Sequence, residues 1–320
     1  MFAGNCPRGR YFGATFHWTY VHIGSGWGVT VRKTSLFAIG CAAAALLSPG
    51  RAAAAPAVTE YVALGDSWAA DATVTQATAA DAPLGCYQSR RDYAKQIAAA
   101  LAIPVLRDAT CGGAETADLT GAQGTLTGDN APQFDRLTPS TDLVTLEIGG
   151  NDAGLAVAVQ DCLTIDPTAT PCQDRYVPSG IDRMSANIAA TEPKVTAAIT
   201  GIRARSPHAR ILLIDYFEGV RTDRGCWPVV PISDVDAAWL GRKLVELNAM
   251  LARVAAATGV EFVDTYGDSG GHDACRSVGT RWVEGLIPLS GNPPGPAVPF
   301  HPNQLGADHQ ARSILAALGR

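Results

Sequence analysis

The sequence predicts an α/β protein, a three-layer α/β/α sandwich built on a five-stranded parallel sheet. Two observations carry this expectation. Apolar runs of strand length alternate along the chain with longer segments whose apolar residues recur every three or four positions, and helices placed between strands require right-handed crossovers and a parallel sheet covered on both faces. The composition agrees: of 320 residues, 47% are hydrophobic and 17% charged, which is the balance of a globular chain.

Taken in order, the first strand is read over residues 59–65, where Tyr61-Val62-Ala63-Leu64 runs into Gly65-Asp66-Ser67-Trp68. An apolar run closed by glycine is a buried strand with its exit turn. Residues 92–101 form a helix with Tyr93, Ile97 and Leu101 on one stripe. A second strand over 103–109 leads into Cys111-Gly112-Gly113, and a third over 142–148 ends in Gly149-Gly150-Asn151-Asp152. A long helix over 181–205, with Pro193 as the place of any bend, precedes a fourth strand over 210–216. A second long helix covers 234–258, a short fifth strand 260–264, and a closing helix 303–318. The segments 153–180, 217–233 and 265–300 are long and rich in Pro, Gly and Cys; following strands as they do, they are candidate pocket walls. With no repeat and no linker, residues 56–320 read as a single domain. In a flavodoxin-like strand order of 2-1-3-4-5, ligands bind at the carboxyl ends of the strands, where strands one and three part.

Residues 31–55 have the pattern of an export signal: Arg32 and Lys33, an apolar stretch from Leu36 to Leu47, and Ala53-Ala54-Ala55 before Pro56. Residues 1–30 then read as a non-native upstream extension, with initiation near Val29 or Val31. The alternative is a lipid anchor at Cys41, in Ala38-Ile39-Gly40-Cys41. Five of the 25 basic residues precede position 56, where there is no Asp or Glu, which leaves 20 basic against 30 acidic side chains and a net charge of about −10. Such a surface disfavours nucleic acid and anionic membranes, and the apolar stretch is short for stable membrane insertion. A monomer is expected.

Cys86, Cys111, Cys162, Cys172, Cys226 and Cys275 remain beyond the signal. An even number in an exported chain argues for disulfides, of which fifteen pairings are possible. Pairing neighbours is the simplest: Cys86–Cys111, Cys162–Cys172 and Cys226–Cys275. There is no Cys-x-x-Cys or His-x-x-x-His, so zinc is rejected and neither metal nor cofactor is expected.

Alone, Gly-Asp-Ser is a common turn with an Asx-type hydrogen bond from Asp66. Its weight comes from the other strand ends, because ester hydrolysis needs a hydroxyl nucleophile, a base of near-neutral pKa and donors aimed at the oxyanion. Four blocks supply them in order: Gly65-Asp66-Ser67, Gly113 in Cys-Gly-Gly-Ala, Gly149-Gly150-Asn151-Asp152, and Phe300-His301-Pro302-Asn303. In these the chain resembles the SGNH, or GDSL-type, hydrolases, and among them the secreted bacterial lipases and esterases that carry three disulfides. Gly271-His272-Asp273-Ala274-Cys275 and Trp282-Val283 also resemble that subgroup, and the likeness covers most of residues 58–320.

The resemblance implies a secreted carboxylic ester hydrolase, acting on a small-molecule or lipid ester. Ser67 is then the nucleophile, and His301 the general base and later general acid. The oxyanion hole comprises the Ser67 N–H, the Gly113 N–H and the Asn151 side-chain amide, with Gly112 a substitute for Gly113 if the register shifts by one. Without the other blocks, Asn151 would read as a cap helped by Asp152. The chain departs from the wider family in two places. Trp68 replaces a Leu, which is expected to alter packing or pocket shape, and Val298 stands where the family carries the Asp that orients the histidine. In the subgroup a backbone carbonyl substitutes for that acid, and the Val298 carbonyl is the expected helper, making a Ser-His dyad.

Among rival histidines, His208 lies at the wrong sheet edge, His309 reads as a surface or packing residue, and His272 ranks below His301. Asp264 and Asp308 read as turn or cap residues. An α/β-hydrolase elbow is rejected, because Ala69 stands where that elbow needs glycine. The alternatives that stay open are a polysaccharide deacetylase or phospholipase on the same fold, and a non-catalytic envelope-binding protein. The Pro and Gly residues of 288–299 read as a rigid lip beside His301 or as a plain surface loop.

Overall fold

Strand β1 (Glu60–Gly65) is buried along its whole length and lies inside a parallel sheet. In chain order the other strands are β2 (Val105–Asp108), a small antiparallel hairpin of β3 (Gln123–Thr125) and β4 (Gly128–Asn130), then β5 (Leu143–Glu147), β6 (Arg210–Ile214) and β7 (Glu261–Val263). The main sheet has the order β2-β1-β5-β6-β7, all parallel. Apart from the hairpin, this is the expected 2-1-3-4-5. The structure is a computed structural model and describes residues 57–291 and 297–320. The upstream extension, the export signal, the Cys41 anchor and residues 292–296 of the lip lie outside the described residues.

The two-residue period of the strands divides the core. Val62, Leu64, Val144, Leu146 and Leu213 pack to one side with residues of α4 (Arg183–Arg205) and α5 (Asp234–Thr258). Tyr61, Ala63, Leu143, Leu212 and Ile214 pack to the other with α1 (Tyr93–Ala100) and α6 (Gln304–Ala317). Both faces are apolar and covered, which accounts for strands that read as continuous hydrophobic runs. Between β5 and α4 lie α2 (Leu155–Asp161) and α3 (Pro171–Tyr176), so the segment 153–180 has structure of its own.

Helix starts follow the capping residues: Asp92, Asp182, Ser233 and Asn303 each accept backbone N–H groups of the first turn, an arrangement worth about 1 kcal/mol per helix. The Asn303 cap fixes where α6 begins and so holds His301 two residues ahead of it. α4 is one helix through Pro193. No helix among the described residues is long and apolar enough to cross a membrane.

The disulfides are Cys86–Cys111, Cys162–Cys172 and Cys226–Cys275, the neighbour pairing. The first ties the loop after the nucleophile turn to the exit of β2, the second joins the ends of α2 and α3, and the third links the segments 217–233 and 265–291. All three therefore tie down segments that follow strands.

Candidate active site

Register places the site. Gly65 pairs with Glu147, so β1 and β5 end level and their exit turns sit side by side where the strand order reverses. Gly65 has φ +151°, and a Cβ there would stand 2.4 Å from the Glu147 carbonyl oxygen; only glycine makes this turn. One residue on, Asp66 accepts the Trp68 N–H at 2.9 Å through Oδ1. The Asx turn is present, and it presents Ser67.

The Ser67 hydroxyl lies 2.7 Å from His301 Nε2 across 234 positions of sequence. The other ring nitrogen, Nδ1, lies 2.8 Å from the Pro299 carbonyl. A carbonyl only accepts, so Nδ1 carries the hydrogen and Nε2 is left to accept the Ser67 O–H. The expected helper was the Val298 carbonyl, and the geometry corrects it. That oxygen receives the backbone N–H of His301 at 3.1 Å, closing a turn in which Phe300 adopts φ +61° and the Pro299 carbonyl, one residue later, faces the ring.

The turn is held from the far side. Glu284 donates its N–H to the His301 carbonyl at 3.0 Å and accepts the Phe300 N–H at 3.2 Å. Its buried carboxylate accepts from Arg281, from the Leu289 N–H at 3.1 Å and from Asn303 Nδ2 at 3.0 Å. Burial holds the His301 pKa below its usual value, and the Pro299 carbonyl pulls it back up. No carboxylate acts on the ring, so its base strength rests on a dipole and not on a full charge.

At the exit of β2, Cys111 donates its N–H to the Gly65 carbonyl at 3.1 Å, and Gly112 donates to the Cys86 carbonyl at 2.8 Å. The Gly112 N–H is thereby spoken for, and Gly113, the next residue, has φ +78°. Among the described residues the N–H groups of Ser67 and Gly113 have no protein acceptor. Asn151 Nδ2 donates to the Ala114 carbonyl at 2.9 Å. One of its two amide hydrogens thus fastens the exits of β2 and β5 together, and the other is available to the cavity that Asn151 lines. Asp152 braces the same junction by accepting the Thr116 N–H at 2.8 Å and hydroxyl at 2.6 Å.

Ser67, Asn151 and His301 open onto a cavity of about 360 Å³. Its walls are apolar: Leu155 and Val159 from α2, Leu240 and Leu244 from α5, and Val220 and Leu286 from the two segments joined by Cys226–Cys275. Trp68 lines it too, with its ring 4.9 Å from Phe217 and 5.6 Å from Tyr216, so the residue that departs from the family does shape the pocket.

The rival residues are elsewhere. His272 stacks on Trp282 at 3.8 Å and bonds the Thr280 carbonyl. His309 is buried behind the same tryptophan, against the Thr265 carbonyl, and is a packing residue. His208 is exposed, Asp264 accepts a turn N–H from Gly267, and Asp308 accepts from Gln304. Sequence reasoning missed Tyr216, whose hydroxyl touches the turns of both β1 and β5; the only sequence signal was its place as the last residue of a predicted strand.

The GDSL-like Lipase/Acylhydrolase family model matches residues 63–309. Lipase 2 of Streptomyces coelicolor is 39% identical over 284 residues, which is 85% of this chain and 92% of that protein. Two solved structures share the fold. The extracellular lipase from Streptomyces rimosus has a TM-score of 0.67 at 24% identity, over 81% of this chain and 100% of its own. Phospholipase A1 from Streptomyces albidoflavus has 0.66 at 22%, over 81% and 99%.

Proposed function

The chain belongs to the GDSL-like lipase/acylhydrolase family and is a serine ester hydrolase, and we propose that Ser67 and His301 carry the reaction as a dyad oriented by the Pro299 carbonyl. The Ser67 oxygen attacks the ester carbonyl as His301 Nε2 takes its proton. The oxyanion is held by the N–H groups of Ser67 and Gly113 and by the Asn151 amide. The tetrahedral intermediate collapses, the leaving alcohol takes the proton from His301, and an acyl-Ser67 remains. Water, deprotonated by the same nitrogen, then releases the carboxylic acid and restores the hydroxyl.

The observation that carries this reading is the 2.7 Å contact between Ser67 and His301 Nε2 with Nδ1 already committed. The acyl group enters the cavity beside it, and the apolar walls favour a fatty acyl chain over acetate. With roughly 30 Å³ for a group the size of water, about 360 Å³ takes on the order of a dozen carbons. Export to an oxidising compartment is supported by three disulfides and by the signal pattern of residues 31–55.

The test is initial rates on nitrophenyl esters from acetate to palmitate, for the wild type and Ser67→Ala. Catalytic efficiency is expected to climb about fourfold per methylene, from about 0.8 kcal/mol each, and to level off at about a dozen carbons. Ser67→Ala is expected to lose at least about 10³-fold in kcat. Retained turnover in that variant would overturn the dyad; a preference for acetate would overturn the acyl cavity.

A further inference from the structure

The proposed mechanism gives no task to two groups beside Ser67, the Asp66 carboxylate and the Tyr216 hydroxyl, both almost fully buried. The hydroxyl donates to Asp66 Oδ2 at 2.6 Å and accepts the Gly150 N–H at 3.0 Å. Asp66 uses its other oxygen on the Trp68 N–H. One phenol oxygen thus joins the residue before Ser67 to the residue before Asn151.

The phenol is itself fixed. Tyr216 donates its N–H to Asn248 Oδ1 at 3.1 Å, and its carbonyl accepts from Asn248 Nδ2 at 2.7 Å, so its main chain is bound to α5. The Trp68 ring packs against its ring edge to face, with centroids 5.6 Å apart. Nor is there slack at the far end, because a Cβ on Gly150 would stand 3.2 Å from the hydroxyl oxygen. The bond to Asp66 is charge-assisted whenever that carboxyl is ionised, and such bonds hold geometry more tightly than neutral ones.

We propose that Tyr216 is a positioning residue for ester hydrolysis: its hydroxyl sets the spacing between the Ser67 turn and the Asn151 loop, and so the aim of the oxyanion donors. The proposal rests on the roles given above to Ser67 and Asn151. An oxyanion donor acts on the transition state and hardly on the bound ester. Loosening its mount therefore lowers kcat and leaves KM nearly alone.

The test is Tyr216→Phe, which keeps the ring and removes only the oxygen, with folding followed by melting and circular dichroism. We expect kcat to fall about 10- to 100-fold with KM within about twofold. Affinity for an alkyl boronic acid, whose adduct with Ser67 mimics the oxyanion, is expected to fall by the same factor as kcat/KM, while affinity for the matching fatty alcohol holds. Asp66→Asn combined with Tyr216→Phe is expected to cost less than the product of the single losses, as for groups that act as one unit. Should Tyr216→Phe fail to fold, Gly150→Ala, which presses on the same oxygen from the other side, is expected to give the same loss confined to kcat. An unchanged kcat, or a loss carried by KM with boronate affinity intact, would overturn the proposal. A wild type that turns over no ester would instead overturn the dyad on which it rests.

Discussion

The proposed mechanism gives the Asn151 amide two tasks, and Asn151→Ala separates them. One hydrogen is given to the Ala114 carbonyl at 2.9 Å; the other is assigned to the oxyanion. Loss of an oxyanion donor costs about 10²–10³ in kcat, or about 3–4 kcal/mol of barrier. Loss of the Ala114 bond costs about 0.5–1.5 kcal/mol of stability, which for a domain of this size lowers Tm by about 2–4 °C per kcal/mol. Steady-state kinetics on a medium-chain ester and a thermal melt of the same preparation measure both. A fall in kcat of at least about 100-fold, with KM little changed and Tm down by a few degrees, is expected. Asn151→Asp is expected to lose as much activity, since a carboxylate at that position has no hydrogen to offer. Were Asn151→Ala to melt lower yet keep kcat within about threefold of the wild type, the amide would be a strut between two strand exits and the oxyanion hole would have been misassigned.

Two pH-dependent outcomes follow from burial. His301 must be neutral to act as a base, and burial lowers its pKa from the ordinary 6.5 with only the Pro299 carbonyl opposing; the acid limb of kcat/KM is therefore expected to have its midpoint below 6.5, and a midpoint above it would refute the dipole-supported base. Asp215, buried with Oδ1 on the N–H and hydroxyl of Thr265, is raised from 3.8 to about 7, chiefly by desolvation. A raised carboxyl contributes stability in full below its unfolded value, and that contribution is lost as pH climbs through the folded one. Asp215→Asn removes the loss while keeping an acceptor, so its stability advantage over the wild type, measured by denaturant unfolding, is expected to grow between pH 4 and pH 8, by as much as about 4 kcal/mol at 1.36 kcal/mol per unit. An advantage of equal size at both pH values would refute this.

What was legible in the sequence, and what was not, divides along a physical line. The sheet could be read because its central strands β1, β5 and β6 are buried on both faces and so appear as largely apolar runs. The helices were legible because their apolar residues recur every three or four positions, and the structure begins them at the capping residues Asp92, Ser233 and Asn303. Ser67, Gly113 and Asn151, at strand exits where a ligand binds, and His301, just ahead of the closing helix, were picked out because each belongs to a residue type the chemistry requires, and the family resemblance gave them their roles. The β3–β4 hairpin went unseen because strands of three residues, largely without a buried face, leave no periodicity to read. The Pro299 carbonyl and the Tyr216 hydroxyl were missed for a different reason. Every residue has a carbonyl, so residue type cannot say which one faces His301. That choice is made by the positive φ of Phe300 and by the hydrogen bonds of Glu284 to Phe300 and His301, a pairing between segments 16 residues apart or more. Tyr216 likewise gains its position from β6 lying beside β5, and its task from two turns that it meets only in the folded chain. Groups that do chemistry announce themselves by kind. Those that aim the chemistry are chosen by register, which emerges only once the strands are paired.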